Sequence, residues 1–136
     1  MKPSLAHQLF AIGLAAFLLE SCTTARGRSQ ALVDSASSAQ AGQMLFEKRC
    51  AGCHGLDHAK EGPPLRTVYG RKAGSVPGFD YSDGLKNSHI VWDESSLNQW
   101  LTNTESLVRD NNMDFAVPKP DERAEIIQYL KETSGK

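Results

Sequence analysis

The chain has 136 residues, room for one domain and a short extension. Its 15 basic and 16 acidic residues leave a net charge of -1, which excludes the strong basic bias of a nucleic-acid or acidic-membrane binder. Hydrophobic content of 40% is ordinary for a globular chain, while 11 glycines and 6 prolines predict one rich in loops.

The N-terminus reads as an address. Lys2 gives a weakly positive start, and residues 9–19 (LFAIGLAAFLL) form an unbroken apolar run. That run is shorter than the roughly 20 residues that cross a bilayer, and it matches the core of an export signal. Leu19-Glu20-Ser21-Cys22 follows and resembles a bacterial lipoprotein cleavage box, with Glu20 in a slot that is usually small or apolar. Cys22 is the odd cysteine of three, and lipidation would account for a lone thiol in an exported chain; a plain cleaved signal is the alternative. Residues 22–40 are rich in Ser, Ala and Thr without a sustained apolar period, and are expected to form a flexible tether. The chain thus divides into a signal over 1–21, a tether over 22–40 and one domain over 41–136.

The first predicted helix covers residues 40–53, with Gly42, Leu45, Phe46 and Cys50 on one face. Gly42 lowers helix stability by about 1 kcal/mol relative to alanine, which a second helix crossing closely over it would justify. This helix carries Cys50-Ala51-Gly52-Cys53-His54. C-x-x-C-H is the attachment signature of a c-type haem. Each thiol reaches one vinyl group of the same porphyrin to form a thioether, and the small Ala51 and Gly52 allow the tight turn between them. His54 can then set its imidazole on the iron as proximal ligand. Three other readings exist. A redox dithiol belongs in a βαβ context, for which no strands are evident. A closed zinc site needs four ligands, and no second C-x-x-C exists. A disulfide across two residues closes a strained loop.

Residues 55–91 are expected to be mostly loop, punctuated by Gly55, Gly62, Pro63, Pro64, Gly70, Gly74, Pro77, Gly78 and Gly84. So long an irregular stretch in a small domain suggests a segment wrapped around a ligand. A short helical turn is predicted over 83–88. A helix follows over 94–103, with Asp93 as N-cap and Leu97, Trp100 and Leu101 as its apolar stripe. Residues 104–119 read as loop and contain Met113. The strongest helix is predicted over 121–133, with Pro120 in its first turn, Asp121 and Glu122 near its N-terminus, and Ile126, Ile127, Tyr129 and Leu130 on its buried side. The fold class is all-α with long loops. Because a small domain has little core of its own, the haem-free chain is expected to be largely unfolded.

Between about residues 41 and 133 the chain resembles class I cytochrome c, of the mitochondrial and bacterial cytochrome c2 type. Gly42-x-x-x-Phe46 before the haem motif is similar to the family's N-terminal helix, and Gly62-Pro63-Pro64-Leu65 to its proline loop. Gly70-Arg71-Lys72-Ala73-Gly74 and Pro77-Gly78-Phe79-Asp80-Tyr81-Ser82 resemble the middle loops. Ile90-Val91-Trp92 and Leu97-Asn98-Gln99-Trp100-Leu101 resemble the tryptophan segment and the helix after it. Asn112-Met113-Asp114-Phe115 resembles the methionine loop, and Arg123 with residues 126–131 the C-terminal helix.

The resemblance implies a cytochrome c fold of three to five helices, with long loops wrapped around one covalently attached haem c. It implies His54 as proximal and Met113 as distal iron ligand, with the Pro63 carbonyl accepting a hydrogen bond from His54. Tyr81 and Trp92 would donate to a haem propionate, Arg71 would offset its charge, and Trp100 would pack on the haem. Gly42 and Phe46 would meet Tyr129 where the terminal helices cross. Four departures stand out. Arg109-Asp110 replaces the usual Pro-Gly before the methionine. Trp100 replaces a tyrosine, Thr67 a glycine and Leu85 a polar residue. Among other candidate sixth ligands, His58 is too near His54 in sequence and reads as an exposed loop histidine, His89 lies in a loop expected to be mobile, and Met44 reads as a packing or surface residue.

The function implied is single-electron transfer by a membrane-tethered periplasmic monohaem cytochrome of bacteria, anchored by lipid at Cys22. Its partners would be redox proteins of respiratory or photosynthetic complexes, an oxidase or reductase. The protein is expected to be a monomer, not an enzyme, with no nucleic-acid partner. Two other readings stay open: a haem enzyme or gas/peroxide sensor with a labile Met113, and an electron-accepting subunit of a dehydrogenase. Mitochondrial relatives ring the haem edge with lysines, whereas Glu105, Asp110 and Asp114 dilute the Met113 side here, so a weaker salt dependence is expected.

Overall fold

The computed structural model describes residues 20–135. Among them it has five helices: α1 (Glu20–Arg49), α2 (Asp83–Lys86), α3 (Glu94–Thr102), α4 (Thr104–Leu107) and α5 (Pro120–Thr133). The chain divides within α1 into a unit that ends at Ala36 and a unit that begins at Ser37.

In the first unit the described residues are helical from Glu20 onward. Residues 22–40 are therefore helix where an irregular tether was expected. The stretch holds no proline, and its alanines, glutamines and arginines have good helix propensity, which local backbone preference expresses even without an apolar stripe. Residues 1–19, with most of the expected signal, lie outside the described residues, as does the side chain of Cys22. Among the described residues no helix is long and apolar enough to cross a membrane.

The second unit is built around the end of α1, α3 and α5. Their apolar stripes meet in a core that includes Phe46, Leu97, Leu101, Ile126, Ile127 and Leu130. α1 crosses α5 at Gly42, where a Cβ would run into the Glu125 carbonyl and the Tyr129 Cβ. One turn on, the Phe46 and Tyr129 rings lie 5.5 Å apart. The crossing explains a glycine inside a helix. α1 stops at Arg49, short of the expected His54, because the regular helical ladder breaks up within the haem motif. The amides of Cys50 and Ala51 both bond the Phe46 carbonyl, and the Cys53 and His54 amides both bond that of Cys50.

α3 begins where predicted. The Asp93 carboxylate accepts from the Ser96 amide at 2.7 Å while the Ser96 hydroxyl accepts from the Asp93 amide at 2.8 Å, a reciprocal cap. α4 falls inside the expected loop 104–119; Asn103 starts it by accepting from the Ser106 amide at 3.0 Å. α5 opens with Pro120, Asp121 and Glu122 as predicted. Its buried Arg123 donates to Asn98 Oδ1 and to the Val117 carbonyl, both at 2.8 Å, tying α5 to α3 and to the chain beyond Met113.

No strand is formed among the described residues, but residues 70–73 and 90–92 pair through an antiparallel bridge between Lys72 and Val91. The Trp92 amide bonds the Arg71 carbonyl at 2.9 Å and the Gly70 amide bonds the Trp92 carbonyl at 2.6 Å. This pairing brings Arg71 and Trp92, far apart in sequence, to the same place.

Candidate haem site

The unit that begins at Ser37 holds an open-sided cavity of about 370 Å³ whose wall includes Cys50, Cys53, His54, Pro63, Arg71, Tyr81, Trp92, Trp100 and Met113. All nine site residues predicted within the domain thus face one space. His58, His89 and Met44 are not part of its wall, and Met44 is 61% exposed.

The imidazole of His54 is fixed by its neighbours. Nδ1 lies 2.8 Å from the Pro63 carbonyl, which can only accept, so Nδ1 carries the proton and Nε2 keeps its lone pair. Burial pushes the pKa of His54 below its ordinary value, against the opposing pull of the Pro63 carbonyl, so the ring stays neutral and able to bind a metal. Gly62 is the wall behind it: any Cβ there would overlap the imidazole. The sequence marks Gly62 as a turn glycine, whereas its position against the ring is the reason for it.

The two thiols are free and differ in setting. Cys50 is half-buried, and desolvation pushes its pKa up to about 11, while Cys53 is exposed and is raised chiefly by its hydrogen bond to Glu61. Among the described residues no group of three or more His, Cys, Asp and Glu side chains gathers as a metal site, so nothing completes a zinc set around this pair.

Opposite in sequence but on the same cavity lie the polar groups of the middle loops. Arg71 donates to the Pro64 carbonyl at 3.0 Å and to the Thr67 hydroxyl at 3.1 Å. Thr67 departs from the usual glycine, and its hydroxyl here holds the guanidinium. Burial lowers the pKa of Arg71 and raises that of Tyr81, and the charge of each group offsets part of the other's shift. Trp92 and Trp100 pack with ring centroids 5.4 Å apart, and Phe79 meets Tyr81 edge-on at 4.7 Å. Arg49, absent from the expected set, also reaches the wall; its Nε is buried without a partner while Nη2 pairs with Glu122 at 2.6 Å.

Met113 approaches on the segment after α4. Its amide donates to Asn111 Oδ1 at 2.9 Å and its carbonyl accepts from the Thr104 hydroxyl at 2.6 Å. Asp110 occupies the left-handed region with φ 55°, the place where the usual pattern has glycine. Gly84 of α2 lets the Arg109 carbonyl seat against the helix, since a Cβ would overlap it.

These residues fit a covalently held haem. A hollow of this size inside a close-packed core calls for an occupant. Its wall offers two thiols at C-x-x-C spacing, a neutral imidazole with a free lone pair, a thioether sulfur, and apolar aromatic surface with an Arg and a Tyr grouped together.

The comparisons agree with this chemistry. Residues 39–134 match the cytochrome c family model. The chain is 41% identical over 100 residues to cytochrome c type-1 of Ascaris suum, covering 71% of this chain and 89% of that protein. It is 42% identical over 96 residues to cytochrome c of Euglena viridis, covering 68% and 94%. Among solved structures it is similar to cytochrome cH from Methylobacterium extorquens, with a TM-score of 0.66 and 36% identity over 69% of this chain and 97% of that one. The chain belongs to the cytochrome c family, whose covalent haem c and electron transfer it shares.

Proposed function

We propose that the protein is a monohaem electron carrier with His54 and Met113 as axial ligands and Cys50 and Cys53 as the thioether anchors. The observation that carries this reading is the commitment of His54 Nδ1 to Pro63, which leaves Nε2 for iron in a cavity that Met113 also lines. When bound, the haem supplies the one-electron couple, and a thioether sulfur as ligand favours ferrous iron and raises the potential. Pro63 and Gly62 orient the imidazole. Arg71, held by Thr67 and Pro64, together with Tyr81 and Trp92, would balance and hydrogen-bond a propionate. Trp100, on the cavity wall, would pack on the haem and keep water from it. With His54 and Met113 both holding the iron, no position would stay open to substrate or gas, so the carrier reading stands ahead of a haem enzyme or sensor.

The apolar run 9–19 and the box ending at Cys22 support export to the bacterial periplasm and a lipid anchor, with residues 22–40 connecting anchor to domain. The carrier would act as a monomer between redox complexes of a respiratory or photosynthetic chain, an oxidase or reductase among them. Visible spectra of the haem-loaded protein test the ligand set. The expected result is a low-spin reduced spectrum, a weak far-red band from sulfur on ferric iron, and no reaction with carbon monoxide. High-spin iron or prompt carbon monoxide binding overturns it. The anchor is tested by detergent-phase partition, which Cys22→Ser should abolish.

A further inference from the structure

We propose that Thr104, Asn111 and Glu105 form a side-chain clamp that positions Met113, doing the work for which the family pattern uses Pro-Gly. The inference rests on the reading that Met113 binds the iron. In this chain Arg109-Asp110 stands in place of Pro-Gly, so neither a fixed ring nor a free backbone sets the course of the segment. Side chains set it instead.

Both polar groups of the Met113 backbone are held. Thr104, only 4% exposed, donates its hydroxyl to the Met113 carbonyl at 2.6 Å. Asn111 accepts from the Met113 amide at 2.9 Å, a turn in which an Asn side chain bonds the backbone two residues on. The same carboxamide donates to the Val108 carbonyl at 2.8 Å and to Glu105 Oε2 at 2.9 Å, so its orientation is fixed from both ends. The other oxygen of Glu105 accepts from the amide of Asp110 at 3.3 Å, which stabilises the left-handed turn there. Thr104 and Glu105 belong to α4, the helix that formed where a loop was expected. Its position explains why: α4 is the frame from which the methionine segment is hung. A thioether is a weak, neutral ligand, and its retention depends on how little the segment gains by swinging away. Every bond that the opened segment would lose raises the barrier to losing the ligand.

The test is an imidazole titration of the ferric, haem-loaded protein, with the far-red sulfur band recorded alongside, because exogenous imidazole binds only as Met113 leaves. Thr104→Val removes the donor while keeping the shape, and Asn111→Ala removes the carboxamide. Each is expected to tighten imidazole binding roughly ten-fold or more, as leaving a buried carbonyl or amide unpaired does to an equilibrium. Each should also weaken the far-red band, and Thr104→Ser should restore the wild-type affinity. Thr104→Val and Asn111→Ala that bind imidazole like wild type, while Met113→Ala binds it tightly, overturn the clamp and leave the ligand assignment intact. Variants whose only loss is global stability in urea overturn it equally. A wild-type protein that has no far-red band and titrates like Met113→Ala removes the ligand assignment and the clamp with it.

Discussion

Gly42 lies against Tyr129 so closely that α1 and α5 meet with only a hydrogen atom in the place of a side chain. The neighbour on the other side is the Glu125 carbonyl, part of a helix backbone that cannot turn aside. Alanine at position 42 is the better helix former by about 1 kcal/mol, yet the crossing decides the sign. Gly42→Ala is expected to destabilise the haem-loaded protein by about 2 kcal/mol, the range of overpacking in a close-packed contact. Urea unfolding followed by the haem absorbance would show it; an unchanged midpoint would mean that the helices separate at no cost.

Arg49 and Glu122 join the same two helices with charge. The pair is 2.6 Å apart with side chains 28% and 16% exposed, and Lys119 stands 3.4 Å from the second carboxylate oxygen. Removing one partner strands a half-buried guanidinium whose Nε already lacks a hydrogen bond. Glu122→Gln keeps the packing and should lower stability by about 1–2 kcal/mol, less than for a fully buried pair because water still reaches both groups. Urea is the denaturant to use, since guanidinium salt would screen the interaction and hide the difference.

The helices are legible in the sequence where propensity, caps and apolar spacing agree: Asp93 marks the start of α3 to the residue, and α5 begins at Pro120, one residue before the expected 121. The haem motif is legible because chemistry dictates its spacing, whereas Pro63, Arg71, Tyr81, Trp92 and Met113 come from the resemblance to class I cytochrome c. Other features escape for physical reasons. The Asn103–Ser106 cap of α4 is a local signal, but four residues are too few to show an apolar period. The hold of Thr104 on Met113 joins residues nine apart across an irregular segment, and no periodic rule reports such a contact. The same holds for Arg49 and Glu122, 73 residues apart. Gly62 looks like one more loop glycine until the His54 ring is placed against it. The helix over residues 22–40 has no apolar face to betray it, although a proline-free segment rich in helix formers needs no such face to be helical.

The Asp93 cap gives a pH signature. Its bonds to Ser96, chiefly the backbone amide, hold the carboxyl below its ordinary 3.8. A carboxyl with a depressed folded value contributes stability above 3.8, and that contribution fades as pH falls through the lower folded value. Asp93→Ala should therefore lower Tm by a few degrees at pH 7, and the gap to wild type should narrow below pH 3.8. Melting curves across pH 3–7 check both the sign and the window; a gap that is constant or widens in acid would place the effect elsewhere.

The cavity of about 370 Å³ bears on what happens without haem. Without an occupant, the core side chains on its wall lose packing partners on one side, and a small domain has little other core to offset that loss. The wall includes Leu97, Trp100, Leu101, Ile126 and Leu130, core residues of α3 and α5, so losing the occupant strips contacts from the packing between these two helices. Haem-free protein is expected to lose most of its fixed tertiary signal and to unfold in urea without a cooperative step. Near-UV dichroism of the Cys50→Ser, Cys53→Ser variant measures this directly. A sharp transition close to that of the haem-loaded form would show that the helices hold one another unaided.

Electron exchange reads the charge around the same opening. The charged residues of the cavity wall that are exposed are Glu61, Asp80 and Asp114, while Arg49 and Arg71 are half-buried. Lys86 neutralises part of this by pairing with Asp80 at 3.0 Å. A small anionic oxidant such as ferricyanide thus meets weak repulsion where a lysine-ringed relative would attract it. Added salt screens charge over about 10 Å at 0.1 M, so the oxidation rate should stay flat or rise with ionic strength. Stopped-flow oxidation between low and high salt decides the matter. A steep fall with salt would mean that positive charge dominates the surface where the electron enters, against the acidic set named here.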